Sequence, residues 1–218
     1  CPLVAKVHRE IERHCREGRR VILIGHRGHP EIEASLGHAP PGAAILVASL
    51  ADIAALDLAA DTPLALAVQT TFAVDEAEAL AGALRRRFVD LAEPSTSDIC
   101  YATTNRQAAV RAIAGRADAV IIAGEAFSSN ARRLAEVAAA GGARAQLVAS
   151  ADQIDWSLVE GSRAIGLSAA ASTPERTVAE IIDALHARFA LAVEEVETVR
   201  EATVFKPVAI GGVRRALP

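Results

Sequence analysis

CPLVAKVHREIERHCREGRRVILIGHRGHPE, residues 1–31, lies without a gap over CYATTNRQAAVRAIAGRADAVIIAGEAFSSN, residues 100–130. Each segment opens on a cysteine, passes through an amphipathic stretch and a short apolar run, and reaches a glycine, Gly25 or Gly124, at the same offset. The match continues downstream. Leu46-Val47-Ala48-Ser49 and Ala51-Asp52-Ile53 return as Leu147-Val148-Ala149-Ser150 and Ala151-Asp152-Gln153-Ile154. Both copies close on similar helix ends, Ala83 to Phe88 and Ala184 to Phe189. An internal duplication of this kind divides the chain into two alike units, residues 1–97 and 98–189, followed by a tail, 190–218. One cysteine at the same place in each copy points to thiols that converge on a shared object.

The two copies follow one course. Val4, Val7, Ile11 and Cys15 recur at spacings of three and four, which predicts a helix with one apolar face. Cys15 reads there as a small packing residue, since Ala114 stands in its place in the second copy. The runs Val21 to Ile24 and Val120 to Ala123 are apolar throughout, as in parallel strands covered on both faces. A second helix follows, clear at Ala131 to Ala139 and short at Ile32 to Gly37. The LVAS strand and a third strand, Leu64 to Val68 or Ala164 to Leu167, come next. Amphipathic closing helices carry Ala77, Leu80, Leu84 and Phe88, or Val178, Ile181, Leu185 and Phe189. Asp75 with Glu78 predicts a capping box, and Pro174 suits a first helical turn. Alternating strands and helices give an α/β class with parallel sheets. Val204-Phe205 predicts a short strand in the tail.

Composition removes several functions. A net charge of −4 and an aromatic content of 3% argue against a phosphate-backbone binder and against a base-stacking platform. The arginines, as in Arg85-Arg86-Arg87, read as a solvated surface. Asp52 and Asp57 interrupt the longest apolar stretch, so no membrane span is predicted. Three cysteines do not make a disulfide framework. With no signal peptide visible, the expectation is a soluble cytoplasmic protein. The chain contains no methionine, even at position 1, and is read as a piece of a longer product.

In open parallel sheets ligands bind beyond the carboxyl ends of the strands, and polar residues gather there in both copies. His29 and Ser128 are equivalent by the repeat, and Gln69-Thr70-Thr71 corresponds to the loop from Ser168 to Ser172. Helix N-termini, hydroxyls, an amide and an imidazole suit an oxyanion such as phosphate. Taken singly, Ser129, Asn130, Ser172 and Thr71 read as ordinary N-caps; their symmetric clustering favours a site. Glu31 is either a first-turn acid complementing the helix dipole or a proton donor beside His29. Cys1 and Cys100 are either inert thiols or metal ligands, and two are too few for most clusters.

The stretches CPLVAKVHRE, VILIGHRGHPEIE, QTTFAVD, DICYATTNRQ, SSNARRL and the AAAS-T-P loop together resemble the 4-hydroxy-3-methylbut-2-enyl diphosphate reductase family. The resemblance runs from residue 1 to about 190 in unbroken order. It implies that the two copies are the second and third lobes of a three-lobed pseudo-symmetric fold around a [4Fe–4S] cluster. Cys1 and Cys100 would be two cluster ligands, with the third cysteine in a first lobe that is absent. His29, Gln69, Thr70, Ser128, Ser129, Asn130 and Ser172 would bind the substrate, and Glu31 would relay protons. The implied reaction is reductive dehydroxylation of an allylic diphosphate to isopentenyl and dimethylallyl diphosphate, with ferredoxin or flavodoxin as electron donor. The sequence departs from the family where Val68 stands for threonine, Ala34-Ser35 for Gly-Thr, and Ala170 for glycine. The added methyl of Ala170 is expected to disturb a loop that approaches phosphate closely. With two candidate thiols and half an anion site, this chain alone is expected to be inactive. A second reading is a non-catalytic diphosphate-binding remnant without a stable cluster.

Overall fold

A computed structural model describes residues 1–200. Helix α1 (Pro2–Arg16) starts directly after Cys1, with Pro2 at a position that needs no amide hydrogen. Val7 and Ile11 are buried on its inner face; Val4 and Cys15 are half-buried. Burial pushes the Cys15 thiol pKa up, as befits a packing residue. The first sheet runs β2 (Ala44–Val47), β1 (Arg20–Ile24), β3 (Leu64–Val68), β4 (Leu91–Ala92), parallel throughout. The second runs β6 (Arg144–Val148), β5 (Ala119–Ala123), β7 (Ile165–Ala169), also parallel. The first strand of each copy is therefore central, flanked by the second and third. This shared order is the structural form of the duplication, and β4 is the first lobe's addition.

Strand side chains alternate between faces, and both faces are covered. Ile22, Ile24, Leu64, Leu66 and Val68 pack into one cluster; Val21, Leu23, Ala65 and Ala67 pack into another. In the second lobe Val120 and Ile122 face one cluster, while Ala119, Ile121 and Ala123 face the other. Each fully buried Val, Leu or Ile contributes about 1.5–3 kcal/mol, so a one-residue slip in register would still bury apolar side chains but misplace the strand ends. The covering helices are α2 (Pro30–Leu36), α3 (Leu50–Ala54), α4 (Val74–Arg87), α5 (Tyr101–Ala114), α6 (Ser129–Ala140), α7 (Trp156–Val159) and α8 (Glu175–Arg188). A short 3-10 turn, Ala151–Gln153, stands where α3 stands in the first copy.

Contacts between the lobes correct two expectations. The capping box at Asp75 and Glu78 does not form: α4 is preceded by Ala73, and its first amide is capped by Gln107 of α5. Gln107 Oε1 accepts from Val74 N–H at 3.1 Å and Gln107 Nε2 donates to the Phe72 carbonyl at 3.0 Å. Asp75 and Glu78 instead pair with Arg111 and Arg85. The arginines are not all solvated surface, because Arg133 is only 8% exposed. Pro174 precedes α8 as its N-cap rather than lying inside the first turn, a shift of one residue. Asp98 and Ile99 pack on the first lobe: the Asp98 carboxylate accepts from Lys6 Nζ at 2.8 Å and from Val68 N–H at 3.0 Å. Burial pushes the Asp98 carboxyl pKa up, and the Lys6 and Val68 hydrogen bonds oppose it. Among the described residues no helix is long and apolar enough to cross a membrane. The strand expected at Val204-Phe205 lies outside the described residues.

Candidate anion-binding site between the lobes

Both central strands end on glycine because the space beyond them is taken. A Cβ on Gly25 would collide with Ile32 Cδ1 and stand 3.0 Å from Gln69 Oε1. A Cβ on Gly124 would lie 2.8 Å from Ala131 Cβ and 3.1 Å from Ala170 Cβ. Absence of a side chain thus lets the following helix and the loop after the third strand close on the strand end. The methyl of Ala170 is accommodated in this contact, with the residue buried.

The two helices that follow start on the residues paired by the repeat. His29 is the N-cap of α2, its Nδ1 accepting from Glu31 N–H at 3.1 Å. Ser128 is the N-cap of α6, its Oγ accepting from Ala131 N–H at 3.3 Å. Ser129, Asn130, Ser172 and Thr71 cap no helix. In a neutral His29 ring, acceptance at Nδ1 leaves Nε2–H as the remaining donor. Gln69, 1% exposed, stitches the first lobe's loops together. Its Oε1 accepts from His26 N–H at 2.9 Å and its Nε2 donates to Thr71 Oγ1 at 2.9 Å. Glu31 spans to the next loop, accepting Thr70 N–H at 2.7 Å on Oε1 and the Thr70 hydroxyl at 2.9 Å on Oε2. The Thr70 carbonyl then accepts from Cys100 N–H at 3.0 Å. One hydrogen-bonded path therefore runs from the start of α2 to the start of α5.

A cavity of about 680 Å³ opens between the lobes, lined among others by His29, Thr71, Ser128, Ser129, Asn130 and Arg133. It brings residues from both copies into one space. Glu31, Gln69 and Thr70 stand behind this lining and reach it through the bonds just described. Ser172 does not line it; the residue is exposed on the loop after β7, beside Thr173, whose Oγ1 donates to the Ala123 carbonyl at 2.9 Å. Both amide atoms of Asn130 are buried without a hydrogen-bond partner in the protein. Buried polar groups are seldom left so. A second cavity of about 710 Å³ is lined by Glu195 and Glu197 together with Arg106, Arg200 and Ser168, and draws its lining from the second copy and the segment after it alone.

His26 and Arg133 were not singled out from the sequence. Arg133 Nη2 contacts His26 Nε2 at 2.7 Å, and Arg133 Nη1 pairs with Glu76 at 3.1 Å and Glu136 at 2.7 Å. Burial first, and the Arg133 charge second, hold the His26 pKa below the usual imidazole value. The available signal was Arg133 lying one turn before Val137 on a helix whose inner face is apolar.

Cys1 and Cys100 are free, and each is the N-cap of its helix with no side-chain cap bond. Thiols at equivalent helix starts suit an iron–sulfur cluster in donor type. The donor count falls short, since among the described residues no three His, Cys, Asp or Glu side chains gather as a metal site.

These features define a duplicated parallel α/β protein whose polar residues collect at the carboxyl ends of both sheets, in one inter-lobe cleft. The chain belongs to the LytB protein family, whose model matches residues 1–186. A Paracoccus denitrificans relative named 4-hydroxy-3-methylbut-2-enyl diphosphate reductase is 51% identical over 207 residues, covering 94% of this chain and 66% of its own length. A Cereibacter sphaeroides relative of the same name is 50% identical, with 94% and 65% covered. The solved E-1-hydroxy-2-methyl-but-2-enyl-4-diphosphate reductase of Plasmodium falciparum superposes with a TM-score of 0.82 at 29% identity, over 92% of this chain and 65% of that one. The chain thus spans 65–66% of the length of these relatives.

Proposed function

We propose that residues 1–189 act as two lobes of a cytoplasmic 4-hydroxy-3-methylbut-2-enyl diphosphate reductase, and that the cleft between them receives the diphosphate. Asn130 carries this reading. Its amide is buried with neither atom bonded, at the start of a twelve-residue helix, beside Ser128, Ser129 and His29. An oxyanion supplies the acceptor that Asn130 Nδ2 lacks, and takes further hydrogen bonds from the hydroxyls, the imidazole and the first backbone amides of α6. Ser172 is assigned as a further phosphate contact from the loop beside Gly124.

Glu31 and Thr70 handle the proton. With Glu31 ionised, Thr70 Oγ1 donates to Oε2 and keeps its own lone pairs to accept. A proton placed on Oε2 reverses that bond, so the Thr70 hydroxyl is freed to donate to a departing hydroxyl while both side chains stay in place. Gln69 keeps the loop in register for this exchange. Cys1 and Cys100 would supply two ligands to a [4Fe–4S] cluster, with the further ligand from outside the described residues. The chemistry such a cluster supplies when bound is electron delivery to the substrate's C–O bond, the electrons coming from ferredoxin or flavodoxin.

The donor count favours one qualification: the 218 residues alone bind the diphosphate and turn it over little or not at all. Anaerobic reconstitution with iron and sulfide tests the whole reading. The chain alone is expected to bind substrate without turnover. Joined to the N-terminal third of the Paracoccus denitrificans relative, it is expected to reduce the substrate, and Glu31→Gln in that form should keep iron and lose most turnover. Failure of either form to bind the diphosphate refutes the proposal.

A further inference from the structure

The two halves of the anion cleft sit on different lobes. His29 belongs to the loop after β1, and Ser128, Ser129 and Asn130 to the start of α6. A ligand that spans both halves depends on the distance between them, so whatever fixes that distance governs which phosphate fits.

The side chain best placed to do so is Arg133. It sits on the second turn of α6 and is 8% exposed. Its guanidinium reaches across to the first lobe at two points, His26 Nε2 at 2.7 Å and Glu76 at 3.1 Å, and is held on its own helix by Glu136 at 2.7 Å. It also lies over the Phe72 ring at 5.6 Å, on which His26 stacks at 4.6 Å. Because guanidinium only donates, the contact requires an unprotonated His26 Nε2. His26 is in turn fixed by Gln69 through its amide, and its carbonyl accepts from His29 N–H at 3.3 Å. The path from Arg133 to His29 is thus two short links, His26 and the turn it opens.

We infer that Arg133, clamped between His26, Glu76 and Glu136, is a positioning residue that sets the spacing between the two halves of the cleft and thereby selects diphosphate over monophosphate. This rests on the anion-cleft reading given above. A planar guanidinium holds its donors in a fixed fork and lays its face on a ring at once; an ammonium has three rotatable donors and no face to stack. Arg133→Lys therefore keeps the cationic charge near the cleft while releasing the spacing. His26→Gln removes the acceptor ring from the other side and leaves Arg133 in place.

The test titrates inorganic pyrophosphate and orthophosphate calorimetrically into the 218-residue chain and both variants, with thermal melts alongside. Each variant is expected to weaken pyrophosphate binding by about tenfold or more while orthophosphate, held by one half, changes by less than about twofold. A purely structural role would weaken both ligands alike, and that result overturns the inference, as does a wild-type preference for pyrophosphate that survives both substitutions. Wild-type protein that binds neither ion overturns the cleft reading itself, and the inference with it. Should Arg133→Lys fail to fold, Glu76→Ala removes one cross-lobe anchor at a residue whose side chain is 56% exposed, and the same selective loss is expected.

Discussion

Replacing Asn130 by alanine separates a ligand-binding amide from a structural one. Its Oδ1 and Nδ2 are buried and bond to nothing in the protein, and each such group costs about 1–3 kcal/mol in the folded state. Removing them relieves that cost and adds several tenths of a kcal/mol of helix propensity in the first turn of α6. Lost packing of a small amide offsets part of the gain. The net expectation for the ligand-free chain is a stabilisation of about 1–3 kcal/mol, or roughly 2–10 °C in Tm for a chain of this size. Pyrophosphate affinity should fall at least about tenfold, equivalent to about 1.4 kcal/mol. Thermal melts with and without pyrophosphate read both effects together: the variant starts higher and gains less from the ligand. A variant that melts lower than wild type yet keeps the full ligand-induced shift refutes the reasoning, because the amide would then be structural.

Glu31→Ala strips Thr70 of both charge-assisted bonds and should cost about 3 kcal/mol, whereas Glu31→Gln retains one acceptor and should cost about 1 kcal/mol; equal melting losses would contradict the pairing. Lys6→Met leaves the Asp98 carboxylate, 2% exposed, without its cation, at a cost of about 3–5 kcal/mol near pH 8. Because burial already raises the Asp98 pKa, the carboxyl takes a proton as pH falls, so the loss should shrink with falling pH; a pH-independent loss would exclude a charged Asp98. His26, lowered by burial and by Arg133 and faced also by Glu136, Glu76 and His29, contributes stability above its unfolded value of about 6.5 that is lost as pH falls through the folded pKa. His26→Gln should therefore flatten the fall in Tm between pH 7 and pH 5, with the lowered His8 and His14 keeping part of the slope.

The parts of this fold legible in the sequence are those set by local pattern. The apolar runs at Val21 and Val120 and the glycines that end them placed the central strands, and the repeat placed their neighbours. β4, two residues long, has no period to detect. The capping box failed for a tertiary reason: Gln107, distant in sequence, caps the Val74 amide, so α4 starts before Asp75 and leaves it inside the first turn. The same holds for the cleft. His29, Ser128, Ser129 and Asn130 were legible because the repeat aligned them at strand ends. Arg133 and His26 were not, because their roles arise only where one lobe meets the other. Ser172, placed in the site by the repeat and by the resemblance, lies on an exposed loop outside the cavity lining.

A crystal structure of the chain grown with pyrophosphate addresses most directly the idea that two duplicated sheets feed one cleft. The account predicts ligand density between the lobes, with phosphate oxygens bonded to His29 from one copy and to Ser128, Ser129 and Asn130 from the other. Density confined to the surface, or lodged against Arg106 in the second cavity while Asn130 remains unbonded, would contradict it.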